Sequence, residues 1–171
     1  MRYLKLLTVL AMAASEASAE TGSRRLIVSL ADHKLAFIED GQVVKVFPVA
    51  VGKSSTPSPT GSFQIISRTV KPTWYHAGKV VPPGPANPVG TRWIGLSHKG
   101  YGIHGTNAPR SIGKSASHGC IRMRNQDVEK LFELVQVGDP VELVSTATGD
   151  NAKFFQIEEA PTEIALAGGG Q

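Results

Sequence analysis

Short apolar runs broken by turn residues fill the first part of the chain. LIVSL (26–30) and KLAFI (34–38) flank ADH, and EDGQ (39–42) precedes VVKVFPVAVG (43–52). An Asp-Gly pair between such runs signals a tight turn, so this region reads as successive β-strands. SSTPSPTG (54–61) is a proline- and serine-rich connection, and SFQIISRTV (62–70) resumes the strand pattern. No helical periodicity occurs before residue 70. Residues 71–92, KPTWYHAGKVVPPGPANPVGTR, carry prolines at 72, 82, 83, 85 and 88. That density disfavours regular structure, and a long irregular segment in a compact domain is often a functional loop or lid. WIGLSHKGYGIHG (93–105) is strand-like again. Val128, Leu131, Phe132 and Val135 then fall at the i, i+3, i+4, i+7 spacing of one helical face, with Asn125 expected as the N-cap. VGD is a turn, PVELV (140–144) a last strand, and the polar stretch 146–171 an expected flexible acidic tail. The pattern predicts a mainly β domain with one short helix, and it contains no internal repeat and no heptads.

The first residues change the picture of where the domain works. MRYLK is a basic start, LLTVLAMAA an apolar run too short to span a bilayer, and ASA (17–19) a small-x-small pattern. Together these predict a signal peptide over residues 1–19, cleaved after Ala19, and an extracytoplasmic location with no stable membrane insertion. The net charge of +4 is concentrated before residue 146, because the tail holds Asp150, Glu158, Glu159 and Glu163 against Lys153. A basic extracytoplasmic domain suits an anionic envelope polymer. Nothing in the composition calls for nucleic acid.

One cysteine is present, in SASHGCIRMR (115–124). Alone, it cannot form an internal disulfide, and a thiol attacks carbonyls as the thiolate, which needs a base or a positive field nearby. His104 in GIHGTN and His118 in SHGC supply candidate bases. The intervening TNAPRSIGKSAS is a loop by composition, and two strands joined by it would set His104 across from Cys120, the nucleophile–base arrangement of acyl-transfer enzymes. Gly119 lets a carbonyl approach closely, and the amides of 119 and 120 could form an oxyanion hole. Arg122, two residues on in an extended segment, shares the face of Cys120 and could hold a carboxylate. Three bland readings compete: a buried inert cysteine, a zinc site built on His104, His118 and Cys120, and a binding module without turnover. His33 and His76 read as ordinary surface or loop histidines, and His98 as undecided.

HGTNAPRSIGKSASHGCIR (104–122) resembles the signature of the L,D-transpeptidases with a YkuD-type catalytic domain. VAVGKSSTPSPTGSFQI, PPGPANPVGTRWIGL and VEKLFELVQVGDPVELV are similar to the family as well, so the likeness runs over residues 25–145. The resemblance implies a YkuD-like β-sandwich and peptidoglycan stem peptides as partners, with an envelope protein as a second possible acyl acceptor. It implies Cys120 as nucleophile and His104 as general base, the base oriented by the backbone carbonyl of Gly105. His118 would shape the thiolate's surroundings, Gly119 would supply an oxyanion donor, and Ser117, Arg122 and Trp93 would contact the substrate. No metal or organic cofactor is implied. The same site could also hydrolyse, as an L,D-carboxypeptidase or amidase.

Overall fold

The structure is a computed structural model and describes residues 23–156. Its strands are β1 (Arg24–Ser29), β2 (Lys34–Glu39), β3 (Gln42–Pro48), β4 (Val51–Gly52), β5 (Gly61–Val70), β6 (Trp74–His76), β7 (Lys79–Val81), β8 (Arg92–Leu96), β9 (Gly102–His104), β10 (Ser115–Ser117), β11 (Ile121–Arg122) and β12 (Pro140–Val144). One α-helix, α1 (Asn125–Leu134), follows the cysteine, and short 3₁₀ turns occupy Pro109–Ser111 and Gly149–Phe155. The mainly β class expected from the pattern is what folds.

Eight strands form one mixed sheet in the order β11-β9-β8-β5-β12-β1-β2-β3. Each of the eight sends a side chain into a single buried cluster, from Phe47 on β3 to Ile121 on β11. A flat sheet that wide would spread its ends about 34 Å apart, so the shared cluster requires the sheet to curl on itself. Irregular register at Phe37/Ile38 and at Ile65/Ser67 supplies local bends. Val128, Leu131, Phe132 and Val135 close the cluster from α1 and its end, as their spacing predicts.

The apolar runs of β1 and β2 are continuous rather than alternating because both faces are covered. Leu26, Val28, Leu35 and Phe37 enter the main cluster, while Ile27, Ala36 and Ile38 pack on the other side with Phe154 and Phe155. This corrects the expectation of a loose tail from residue 146. The 3₁₀ turn Gly149–Phe155 docks its two phenylalanines on the outer face of the first hairpin. Residues 157–171 and the expected signal peptide, 1–19, lie outside the described residues. Among the described residues no helix is long and apolar enough to cross a membrane.

Two further expectations change. Segment 71–92 is not wholly irregular: β6 and β7 form a hairpin turned at Ala77 and Gly78, both with positive φ, 47° and 77°. Asn125 does not cap α1. Arg124 holds that position without a side-chain cap, and Asn125 is the first helical residue.

Candidate active site

The cysteine loop is held by a network centred on Ser117 and the carbonyls of Ser117, Gly119 and Cys120. Ser117 is buried and its hydroxyl donates to the Cys120 carbonyl at 2.6 Å while accepting the Gly119 N–H at 3.0 Å. The Ser117 carbonyl accepts from the Lys53 N–H at 3.1 Å and the Thr56 hydroxyl at 3.2 Å. The Gly119 carbonyl accepts from the Ser58 hydroxyl at 2.7 Å. Gly119 has φ +113°, and a Cβ there would lie 2.6 Å from the Tyr101 ring, so the turn demands glycine. The Gly119 N–H was expected to stabilise an oxyanion; here it donates to the Ser117 hydroxyl. Among the described residues the Cys120 N–H has no hydrogen-bond partner and stays free.

Cys120 leads directly into β11, which runs parallel to β9 with Ile121 opposite Ile103 and Arg122 opposite His104. The expected facing of residue 104 with 120 is thus a parallel register, offset by two. The connection between them passes through Pro109–Ser111 and β10 before returning to the sheet. Ile121 is buried, so Cys120 and Arg122 turn to the opposite side, where both line a cavity of about 930 Å³. His104, His118, Ser117 and Trp93 line it as well.

His104 is 5% exposed and held by two contacts. Its ring stacks on Trp93 with centroids 5.6 Å apart and planes 16° off parallel. Nδ1 lies 2.5 Å from the Gly105 carbonyl and donates to it, which leaves Nε2 unprotonated in the neutral ring. The Gly105 segment is itself pinned: Oδ1 of Asn125 accepts from the Thr106 N–H at 3.1 Å and the Thr91 N–H at 3.3 Å. Gly90 and Gly105 approach this amide too closely to admit a Cβ. Asn125 was read as a helix cap, and no local signal announces its other role. Trp93, expected against substrate, stacks on His104 and forms part of the cavity wall.

Burial pushes the His104 pKa down to about 4, with the Gly105 hydrogen bond opposing and the Arg122 charge adding to the fall. Burial raises the Cys120 thiol, and the Gly102 N–H and Arg122 partly offset that. The thiol hydrogen points to the Gly100 carbonyl at 3.7 Å. His104 and Cys120 therefore rest as a neutral pair, with no ion pair at neutral pH.

The β6–β7 hairpin provides the facing wall through Trp74, Tyr75 and His76. His76 was read as an ordinary loop histidine; it stacks on Trp74 at 5.5 Å inside that wall. Asn87, fully buried, ties down the hairpin's base by donating to the carbonyls of Pro72 at 2.8 Å and of Val81 and Pro82 at 3.2 Å. His98 contacts Phe63 and Tyr101 edge-on, and His33 meets the Ser115 hydroxyl at 3.1 Å. Among the described residues no three His, Cys, Asp or Glu side chains converge as metal ligands.

This arrangement has relatives. The YkuD L,D-transpeptidase catalytic domain family matches residues 23–143. The chain is 40% identical over 141 residues to a putative L,D-transpeptidase, YqjB, of Bacillus subtilis, covering 80% of this chain and 77% of that one. The fold superposes on a mutant L,D-transpeptidase of Enterococcus faecium with TM-score 0.62 and 25% identity, over 71% of this chain and 50% of that one. It also superposes on an L,D-transpeptidase in complex with imipenem, with TM-score 0.61 and 24% identity, over 72% of this chain and 59% of that one. The chain thus spans only half to three fifths of those two solved proteins. From the family match across most of its length and the shared fold, the chain belongs to the L,D-transpeptidase family with a YkuD-type catalytic domain.

Proposed function

We propose that the protein is an extracytoplasmic cysteine acyltransferase that acts on peptidoglycan stem peptides. The observation that carries this reading is the placement of Cys120 and His104 on one cavity wall, with Nδ1 of His104 locked to Gly105. Sγ attacks the carbonyl of the stem peptide's third residue as its proton passes to Nε2 of His104. The oxyanion faces the free Cys120 N–H. Collapse breaks the bond to the terminal D-alanine, whose amine takes the proton from His104 and leaves. The thioester then meets an amine, on a second stem peptide or on an envelope protein, and that amine surrenders a proton to His104. Expulsion of the sulfur completes a 3→3 cross-link or a protein attachment, and the proton returns to Cys120.

Arg122 offers a forked donor to a carboxylate of the donor peptide. His118 shares the cavity and sets the polarity beside the sulfur. The aromatic wall of β6 covers the thioester and favours an amine over water. Purified protein incubated with a tetrapeptide muropeptide, its products read by mass spectrometry, tests this directly. Cross-linked dimer with released D-alanine is expected. Cleaved monomer alone would assign the site to hydrolysis.

A further inference from the structure

Ser58 lies in the proline-rich connection between β4 and β5, far from Cys120 in sequence and outside the cavity wall. It is 7% exposed, so it cannot meet a substrate in the cavity. Its hydroxyl has two partners. It accepts the Gly52 N–H at 2.8 Å and donates to the Gly119 carbonyl at 2.7 Å. The Gly52 N–H occupies the oxygen's acceptor side, so the hydroxyl proton goes to Gly119.

The Gly119 carbonyl and the Cys120 N–H belong to one peptide unit. The described chain has no cis peptide bond, so in this unit the two groups point in opposite directions. Fixing the carbonyl on one side aims the N–H to the other. The residue before this bond is a glycine, whose backbone rotates freely, so without a partner for the carbonyl the plane can flip. The Ser117 hydroxyl secures the neighbouring groups, the Gly119 N–H and the Cys120 carbonyl, but neither lies in this peptide unit.

We infer that Ser58 is a positioning residue that aims the Cys120 N–H into the cavity as the oxyanion donor, by holding the opposite end of the same peptide plane. This rests on the acyl-transfer reading above and adds a residue to it. The role acts on the carbonyl-derived oxygen of the transition state and leaves the sulfur's own nucleophilicity untouched. Two reactions of Cys120 therefore separate under substitution. Alkylation by iodoacetamide displaces iodide at a saturated carbon and creates no oxyanion. Acylation by imipenem opens a lactam carbonyl and does.

The test compares the two rates in wild type, Ser58→Ala and Ser58→Thr, followed by intact-protein mass. In Ser58→Ala, alkylation stays within about threefold of wild type while acylation falls about 10–100-fold, short of the loss when a donor is deleted outright. Ser58→Thr, which keeps the hydroxyl, recovers acylation. The Ser58→Val and Ser58→Thr pair, equal in shape, repeats the comparison free of packing differences: valine is slow to acylate and threonine is fast. Equal acylation in Ser58→Ala and wild type overturns the inference, as does a parallel fall of both reactions, which marks general loop damage. Wild type that alkylates but never acylates overturns the acyl-transfer reading instead.

Discussion

Cys120 and His104 carry opposite consequences of the same burial. The thiol is raised and the imidazole lowered to about 4, so neither is charged at neutral pH. Iodoacetamide alkylation of Cys120 should consequently climb with pH through the neutral range and show no thiolate plateau below about pH 8.5, the ordinary thiol value. A plateau at pH 6–7 contradicts the neutral pair. Turnover, in contrast, needs only neutral His104, so the acidic limb of kcat/KM belongs near pH 4 rather than near 6.5. Stability follows the same shift. Between pH 6.5 and about 4 the unfolded chain protonates this histidine and the native state does not, so the unfolded state binds more protons and stability falls with acidification. His104 alone accounts for a loss on the order of 3 kcal/mol across that window, readable as a drop in urea midpoint. His104→Ala should reduce turnover by about 10²–10⁴-fold, the usual worth of a positioned base.

Local elements place these residues, and their legibility differs for a physical reason. The Ser-His-Gly-Cys stretch and the helix face at 128–135 were readable because their information is contiguous or periodic. Ser58 and Asn125 were not, because their partners lie 61 and 19–34 residues away. Asn125 stands where a cap is expected, but its amide reaches across to Thr91 and Thr106. Asn125→Ala should leave α1 helical by circular dichroism yet release the His104–Gly105 segment, lowering kcat more than it raises KM. The β6–β7 hairpin was hidden by strands of three residues each and a turn at Ala77 that carries no Asn-Gly signal. Asn87→Ala removes the side chain that donates to three carbonyls at its base. It should destabilise the protein by about 1–3 kcal/mol and increase hydrogen exchange in residues 74–81.

At the scale of the molecule, the curled sheet closes one face on the main buried cluster and leaves the back of β1 and β2 for the 149–155 turn. The continuous apolar runs held a signal for that cover, since a strand buried on one face alternates and these do not. Two adjacent phenylalanines in the acidic tail were its match, missed because the tail was read by its net charge. Truncation before Gly149 exposes Ile27, Ala36 and Ile38 and should lower stability and promote association while sparing the chemistry at Cys120. The central claim is that one sulfur carries the acyl group. Intact-protein mass after brief exposure to a stem tetrapeptide, followed by proteolytic mapping, measures this directly. The account predicts an adduct equal to the donor less D-alanine, confined to Cys120 and absent from Cys120→Ala. D-alanine release undiminished in Cys120→Ala would contradict it.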